Sequence, residues 1–138
     1  MKEFLAALRE AKKAGQRNEV PIGAIIVKDG KIIARARNQT EKNKSFTAHA
    51  EILCIKSANK KLKSKYLNGC ELYVTLEPCL MCMTAARLSR ITKIHYLIKS
   101  PKFGRNGPAY FKTKVQRKNS PLTPSAVELL QAFFKARR

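Results

Sequence analysis

Acidic residues are scarce in this chain of 138 residues: Asp and Glu number 9 against 29 Lys and Arg, a formal charge of +20. Glu128 is the only acid after Glu77. Such an imbalance argues against an acidic or neutral protein surface and points to a polyanionic partner, although lysines that merely solvate surface faces give the same count and charge alone does not identify RNA. Long apolar runs are also missing. The longest, such as Gly23 to Val27, fall far short of the roughly 18 to 20 residues that cross a bilayer. The start, Met1 to Arg9, contains Glu3 and no apolar core with a small-residue cleavage site, so neither a membrane span nor an export signal is expected. There is no Gly/Ser tract, Pro-rich linker or internal repeat, which excludes a solenoid and argues against disorder. Only 4 cysteines are present, and two of them stand as Cys79 and Cys82, a metal-type spacing. Without a secretory leader, that pattern suggests a reducing, cytoplasmic location rather than a disulfide framework.

What is present reads as one globular domain over residues 1–138, long enough to bury roughly two-thirds of its unfolded surface. Glu3 to Gln16 carries Phe4, Leu5, Leu8 and Ala11 at helical spacing and predicts an opening helix that ends near Gly15. Two β-prone runs, Gly23 to Val27 and Ile32 to Arg35, flank an Asp-Gly turn and predict a hairpin. A helix is expected from about His49 through Ala58, followed by a lysine-rich surface stretch, Lys60 to Lys65. Leu72 to Leu76 and Ile91 to Ile98 read as strands, with a helix opened by Pro78 and running through Leu80 to Leu88 between them. Lys99 to Pro121 reads as a basic loop. Pro124 to Ala136 reads as a terminal helix with Val127, Leu130, Phe133 and Phe134 on its apolar face. The alternation of strands and helices predicts an α/β domain.

The residues that carry chemistry are His49, Glu51, Cys79 and Cys82. Zinc is held by imidazole nitrogen and thiolate sulfur, and a catalytic site keeps three protein ligands with a fourth position open. His49, Cys79 and Cys82 supply that set. Cysteines three apart at the first turn of a helix present both sulfurs to one side, where the helix N-terminus favours their ionised form. Glu51, two residues beyond His49, is not needed as a ligand and is placed to act as general acid and base. Structural zinc sites and redox motifs share the cysteine pair, so His49, Glu51 and Pro78 are what tip the reading towards catalysis. A structural site would want a fourth ligand. The candidates Cys54, Cys70 and His95 lie in apolar helix or strand segments, where core packing is expected instead.

His49-Ala-Glu51 with Pro78-Cys79-Leu-Met-Cys82 is the zinc deaminase signature. The longer blocks Glu19-Val-Pro-Ile-Gly23, Thr47-Ala-His-Ala-Glu-Ile52 and Leu72-Tyr-Val-Thr-Leu-Glu-Pro-Cys79, continued by Ser89-Arg-Ile91 and Phe133-Phe-Lys-Ala-Arg137, closely resemble the bacterial tRNA-specific adenosine deaminases over almost the whole chain. That resemblance implies the cytidine-deaminase fold, a three-layer α/β/α arrangement with a central mixed β-sheet. It implies a homodimer with active sites near the subunit interface, one zinc ion per subunit, and a tRNA anticodon arm as partner. It also implies hydrolytic loss of the amino group at C6 of the wobble adenosine to give inosine, with Glu51 relaying the proton. Within it, Asn38 is expected to hydrogen-bond the flipped base and Val20 to line its pocket. Lys102 and the basic end of the terminal helix are expected to contact phosphates, with Phe134 near a splayed nucleotide. The chain departs from the family at Ser100, where an aspartate commonly precedes the Lys-x-Gly kept here as Lys102-Phe-Gly104. A serine hydroxyl also accepts a hydrogen bond from a ribose and removes a negative charge beside phosphates, so RNA binding with weaker sugar selectivity is expected.

Two other readings share part of these residues. A deaminase of free guanine or cytosine would use the same zinc and proton-transfer groups without needing the basic loop. A non-catalytic RNA-binding protein would use zinc to hold its fold, and would leave Glu51 without a task.

Overall fold

A computed structural model describes residues 1–100 and 113–137. The first helix, α1, spans Lys2–Gln16 and buries Phe4, Ala7, Leu8, Ala11 and Ala14 on one face. Strands β1 (Gly23–Lys28) and β2 (Lys31–Arg37) form the expected antiparallel hairpin, with a bulge at Ile26/Val27. Its turn places Asp29 at φ 50° and Gly30 at φ 75°, the left-handed pair that a two-residue hairpin turn demands and that Asp-Gly accommodates. Helix α2 (Ala50–Leu62) leads to β3 (Cys70–Leu76), α3 (Leu80–Leu88) and β4 (Lys93–Ile98); β5 (Lys114–Arg117) and α4 (Thr123–Lys135) complete the described chain.

The five strands form one sheet in the order β2-β1-β3-β4-β5. β1 is antiparallel to both neighbours, whereas β3, β4 and β5 run parallel. Because successive side chains on a strand face opposite ways, Cys70, Leu72 and Val74 of β3 meet Ala50, Cys54 and Ala58 of α2 and Met83 and Ala86 of α3 on one side. Tyr73 packs with Phe4 and Leu8 of α1, Leu97 of β4 and Ala126 of α4 on the other. The mixed sheet with helices on both faces is the architecture that the family resemblance implies, and the alternation of strands and helices is the one expected from the sequence. Gly23 sets how closely α1 lies on the sheet: a Cβ there would stand 1.9 Å from the Ala7 carbonyl oxygen and 2.7 Å from the Ala11 nitrogen. At one edge of that contact the buried Glu10 accepts from Arg37 at 3.2 Å and Lys13 at 3.3 Å.

Four local expectations are corrected. The stretch read as a basic loop contains β5, four residues whose single hydrophobic side chain, Val115, packs against the core. Pairing with β4 makes it a strand, since so short and polar a run carries no periodic signal. The lysines of Lys60 to Lys65 are exposed as expected, and what is corrected is the helix end: α2 continues past Ala58 through Leu62, lysine being a good helix former where packing does not decide. Pro78 lies before the capping residue Cys79, and the helix itself opens at Leu80. Finally, α4 docks through Leu122, Ala126 and Leu129. Phe134 is 50% exposed and Val127 and Leu130 only half-buried, because the buried face is the one at i, i+4 and i+7 that looks onto Leu97.

Candidate metal centre and active site

Two helix N-termini converge at the carboxyl end of β3. His49 is the N-cap residue of α2 and Cys79 that of α3, both in extended backbone conformation and neither capping through its side chain. Cys82 follows in the first turn of α3, so its sulfur comes to the same side as that of Cys79. The chain enters each helix along a fixed path: Pro78 is fully buried before Cys79, and the Ala48 carbonyl before His49 accepts from Gln39 N–H at 2.9 Å.

His49 Nδ1 lies 3.6 Å from Cys79 Sγ and 3.5 Å from Cys82 Sγ, and all three donor atoms fall within 4.8 Å of one another. Tetrahedral zinc with bonds of about 2.3 Å to sulfur and about 2.0 to 2.1 Å to nitrogen would set those nitrogen–sulfur separations at about 3.6 Å. The donor set therefore fits a zinc ion in type, number and spacing. Among the described residues this is the one group of His, Cys, Asp and Glu side chains close enough to hold a metal ion.

The electrostatics fit as well. Cys79 is lowered to about 4, first by the hydrogen bond from Cys82, with His49 helping. Cys82 is pushed well up by that same shared proton and by burial. Two sulfurs that share one proton at paired helix N-termini hold one negative charge; a cation would take the proton's place and keep both as thiolates. His49 is raised, chiefly by its contact with Cys79. Glu51, in the first turn of α2, is 4% exposed and its carboxyl is pushed up to about 7 by burial, within hydrogen-bond reach of Cys82. A carboxyl balanced between its two forms at neutral pH is suited to moving a proton.

The remaining residues singled out from the sequence occupy several parts of the fold. Asn38 is buried at the end of β2, and its N–H donates to Ile22 at 3.1 Å. Val20 is half-buried, and its carbonyl accepts from Ile22 N–H at 2.8 Å. Asn38 and Val20 thus meet at one segment, Val20 to Ile22. Ser100 is buried after β4 and its N–H donates to Glu77 Oε1 at 3.0 Å. Lys102 lies outside the described residues. Phe134 lies in the last turn of α4, edge-on to Phe133 at 5.2 Å. The neighbouring Arg137 covers Phe133 and reaches Asn18 at 3.4 Å. Cys54 and Cys70 are fully buried. His95 is paired with Glu71 at 2.7 Å and stacked on Tyr73, so none of the three joins the triad.

Two acids that the sequence reading passed over hold the frame of the site. Glu19, 3% exposed, accepts from the backbone N–H of Glu41 at 3.0 Å and of Lys42 at 2.8 Å, clasping the loop between Asn38 and His49. Glu77, 2% exposed, holds Ser100 as described. Each stands within two residues before a proline, Pro21 and Pro78, in a chain otherwise poor in acid, and that was the available signal.

Comparison with known proteins agrees with this geometry. The model of the MafB19-like deaminase family matches residues 1–138. The tRNA-specific adenosine deaminase of Aquifex aeolicus (strain VF5) is 49% identical over 139 aligned positions, covering 96% of this chain and 91% of that protein. The tRNA-specific adenosine deaminase of Bacillus subtilis (strain 168) is 43% identical, with 96% and 86% covered. A chain from structural work on A-to-I editing by tRNA:A34 deaminases at the wobble position of transfer RNA is 41% identical, with a TM-score of 0.81 and 85% and 97% covered. Guanine deaminase from Nitrosomonas europaea, at 22% identity and a TM-score of 0.82 over 95% of this chain and 82% of its own, shares the fold. The triad at the paired helix ends, the mixed sheet beneath it and matches of this extent lead to one conclusion: the chain belongs to the MafB19-like deaminases, in the group of tRNA-specific adenosine deaminases.

Proposed function

We propose that this chain, acting as a single deaminase domain over residues 1–138, converts the wobble adenosine of a tRNA anticodon to inosine. One observation carries the chemistry: a buried glutamate, Glu51, stands beside three zinc-type donors, and a zinc ion with three protein ligands would keep its fourth position for water. The activity for which the relatives are named, at up to 49% identity, supports the substrate.

His49, Cys79 and Cys82 would hold one zinc ion per subunit, which when bound lowers the pKa of a water towards neutrality and makes it a nucleophile. Glu51 takes one proton from the attacking water and passes it to the purine ring, then takes the second from the new C6 hydroxyl and passes it to the departing amine. A C6–O bond forms, the C6–N bond breaks, and ammonia leaves. Asn38 fixes the flipped base by hydrogen bonding and Val20 lines its pocket. Burial of Glu51 excludes bulk water from the proton's path and pushes its carboxyl above the usual carboxylate range. Lys102 and the basic end of α4 hold phosphates, Phe134 offers a ring to a splayed nucleotide, and Ser100 meets the ribose. Exposed Leu80, Met81 and Leu88 on α3 support a homodimer. No helix among the described residues is long and apolar enough to cross a membrane, and a cytoplasmic enzyme is the reading adopted.

The test is incubation of the zinc-loaded protein with an anticodon stem-loop bearing a wobble adenosine, beside free adenosine, cytidine and guanine, with base conversion followed by mass. Inosine only in the stem-loop is expected. Conversion of a free base instead would replace the substrate and keep the chemistry.

A further inference from the structure

The sheet has two ends, and the metal triad uses one of them. β3, β4 and β5 run parallel, and the triad lies beyond the carboxyl end of β3. α2 and α3 both start there and run to the opposite end, α2 for 13 residues or about 20 Å at 1.5 Å per residue. At that far end the two helix exits are tied together: Leu67 N–H donates to the Ser89 carbonyl at 2.7 Å, and Cys70 N–H to Leu67 at 3.1 Å.

This pole is strongly basic. The segment Lys56 to Lys65 has five lysines and no acid. Lys60, Lys61, Lys63, Lys65 and Arg90 are all exposed, and none forms an ion pair among the described residues. The Arg90 guanidinium lies 3.9 Å from the centroid of the Tyr66 ring, and Lys65 Nζ lies 5.1 Å from the same ring. Helix C-termini favour cations, which accounts for Lys60 and Lys61 in the last turn of α2 but not for cations beyond the helix ends. Lys63, which caps α2, has φ 52°, and Arg90, just past α3, has φ 64°. Those left-handed positions after a helix are where glycine or asparagine is least strained. Both helix exits therefore place a cation where an uncharged residue would fit the backbone better.

We propose that this pole is a second RNA-docking surface, which takes backbone phosphates of the substrate beyond the reacting loop, with Arg90 held in place by Tyr66 and the exposed lysines around it. The choice of RNA rests on the deaminase reading above. A membrane surface is the poorer match, because a segment that binds lipid inserts apolar side chains, and among the described residues Leu88 is the single exposed large hydrophobic beside these cations.

The test is the triple variant Lys61→Gln, Lys63→Asn, Arg90→Asn. Asparagine tolerates the left-handed backbone, so folding is preserved, and the melting temperature checks it. Binding of full-length tRNA and of the short stem-loop is measured by fluorescence anisotropy over a range of KCl, with stem-loop turnover alongside. We expect tRNA affinity to fall at least tenfold. The slope of log affinity against log salt should fall by about 2, at roughly 0.7–0.9 for each phosphate no longer neutralised, while stem-loop binding and turnover stay unchanged. Unaltered tRNA affinity and slope would overturn the proposal, as would equal losses on both RNAs. So would weakened capture by phosphatidylserine vesicles with RNA binding intact. Binding is read without turnover, so failure of the deaminase reading would show separately as no conversion by the parent protein.

Discussion

The backbone N–H of Ser100 donates to Glu77 Oε1 at 3.0 Å, which ties the residue after β4 to the approach of Cys79. The Ser100 position relative to the metal centre is therefore set by a buried carboxylate, whatever side chain residue 100 carries. Ser100→Asp is expected to raise the ratio of RNA to DNA turnover on matched hairpins by about tenfold, the difference of about 1.4 kcal/mol between a neutral and a charge-assisted hydrogen bond to a ribose hydroxyl. The new carboxylate beside Glu77 should also lower the melting temperature. An unchanged ratio would remove residue 100 from sugar recognition.

Glu51→Gln keeps the size of the side chain and removes its ability to take up and release a proton. Turnover should drop at least 10²- to 10⁴-fold, the usual share of general acid–base catalysis. Zinc content measured by atomic emission should stay near one per subunit. Retained turnover would sink the assigned role, and lost zinc would make Glu51 part of the metal site instead.

Metal-free protein should be alkylated selectively. Cys79 is lowered to about 4, below the ordinary thiol value, so at pH 6 it is already a thiolate, the reactive form. Cys54 is pushed up by burial and, like Cys70, is fully buried. Iodoacetamide at pH 6 followed by peptide mapping should label Cys79 first, and added zinc should protect it. Equal labelling of the cysteines would contradict this ionisation pattern.

Glu19→Gln replaces a carboxylate that accepts two backbone N–H groups by an amide with a single acceptor oxygen. A loss of about 1.5–3 kcal/mol is expected, typical of a hydrogen bond to a charged group. Amide exchange should speed up in the loop between Asn38 and His49 rather than in the sheet. Uniform exchange, with stability unchanged, would refute the clasp.

Gly23→Ala would drive a methyl group into the backbone of α1. The helix must lift from β1, at a cost of about 3 kcal/mol or more. A melting temperature equal to that of the parent would show that the close approach is not needed.

Much of the fold and the site is legible in the residues themselves, and the physical reasons differ by element. Phe4, Leu8 and Ala11 give a helical period that the buried face of α1 follows, and Asp29-Gly30 names its own turn. His49, Cys79 and Cys82 are legible as a set because metal chemistry restricts residue type and spacing together. β5 is not, since its strand character comes from its neighbour β4 rather than from its own four residues. The apolar positions of α4 are visible, but which of them face Leu97 depends on how α1 and α4 share one side of the sheet. Glu19 and Glu77 escape a sequence reading because a buried carboxylate that serves backbone N–H groups has no periodic signature; only folding brings its partners to it.

Among the described residues the sheet order leaves β2 and β5 at the edges, and their composition bears on how the protein behaves when concentrated. An unpaired strand edge is a template for adding another chain, and lysine on the edge is a common defence. β2 carries Lys31 and Arg35, besides the Arg37 that pairs with Glu10, and β5 carries Lys114 and Arg117, with no acid on either strand. Any two edges brought together would meet like charge with like, so strand-on-strand growth is opposed in both directions. The repulsion is electrostatic, and screening by salt weakens it. The same excess of positive charge that suits the protein to an RNA partner also opposes growth at its sheet edges, and low ionic strength preserves that protection.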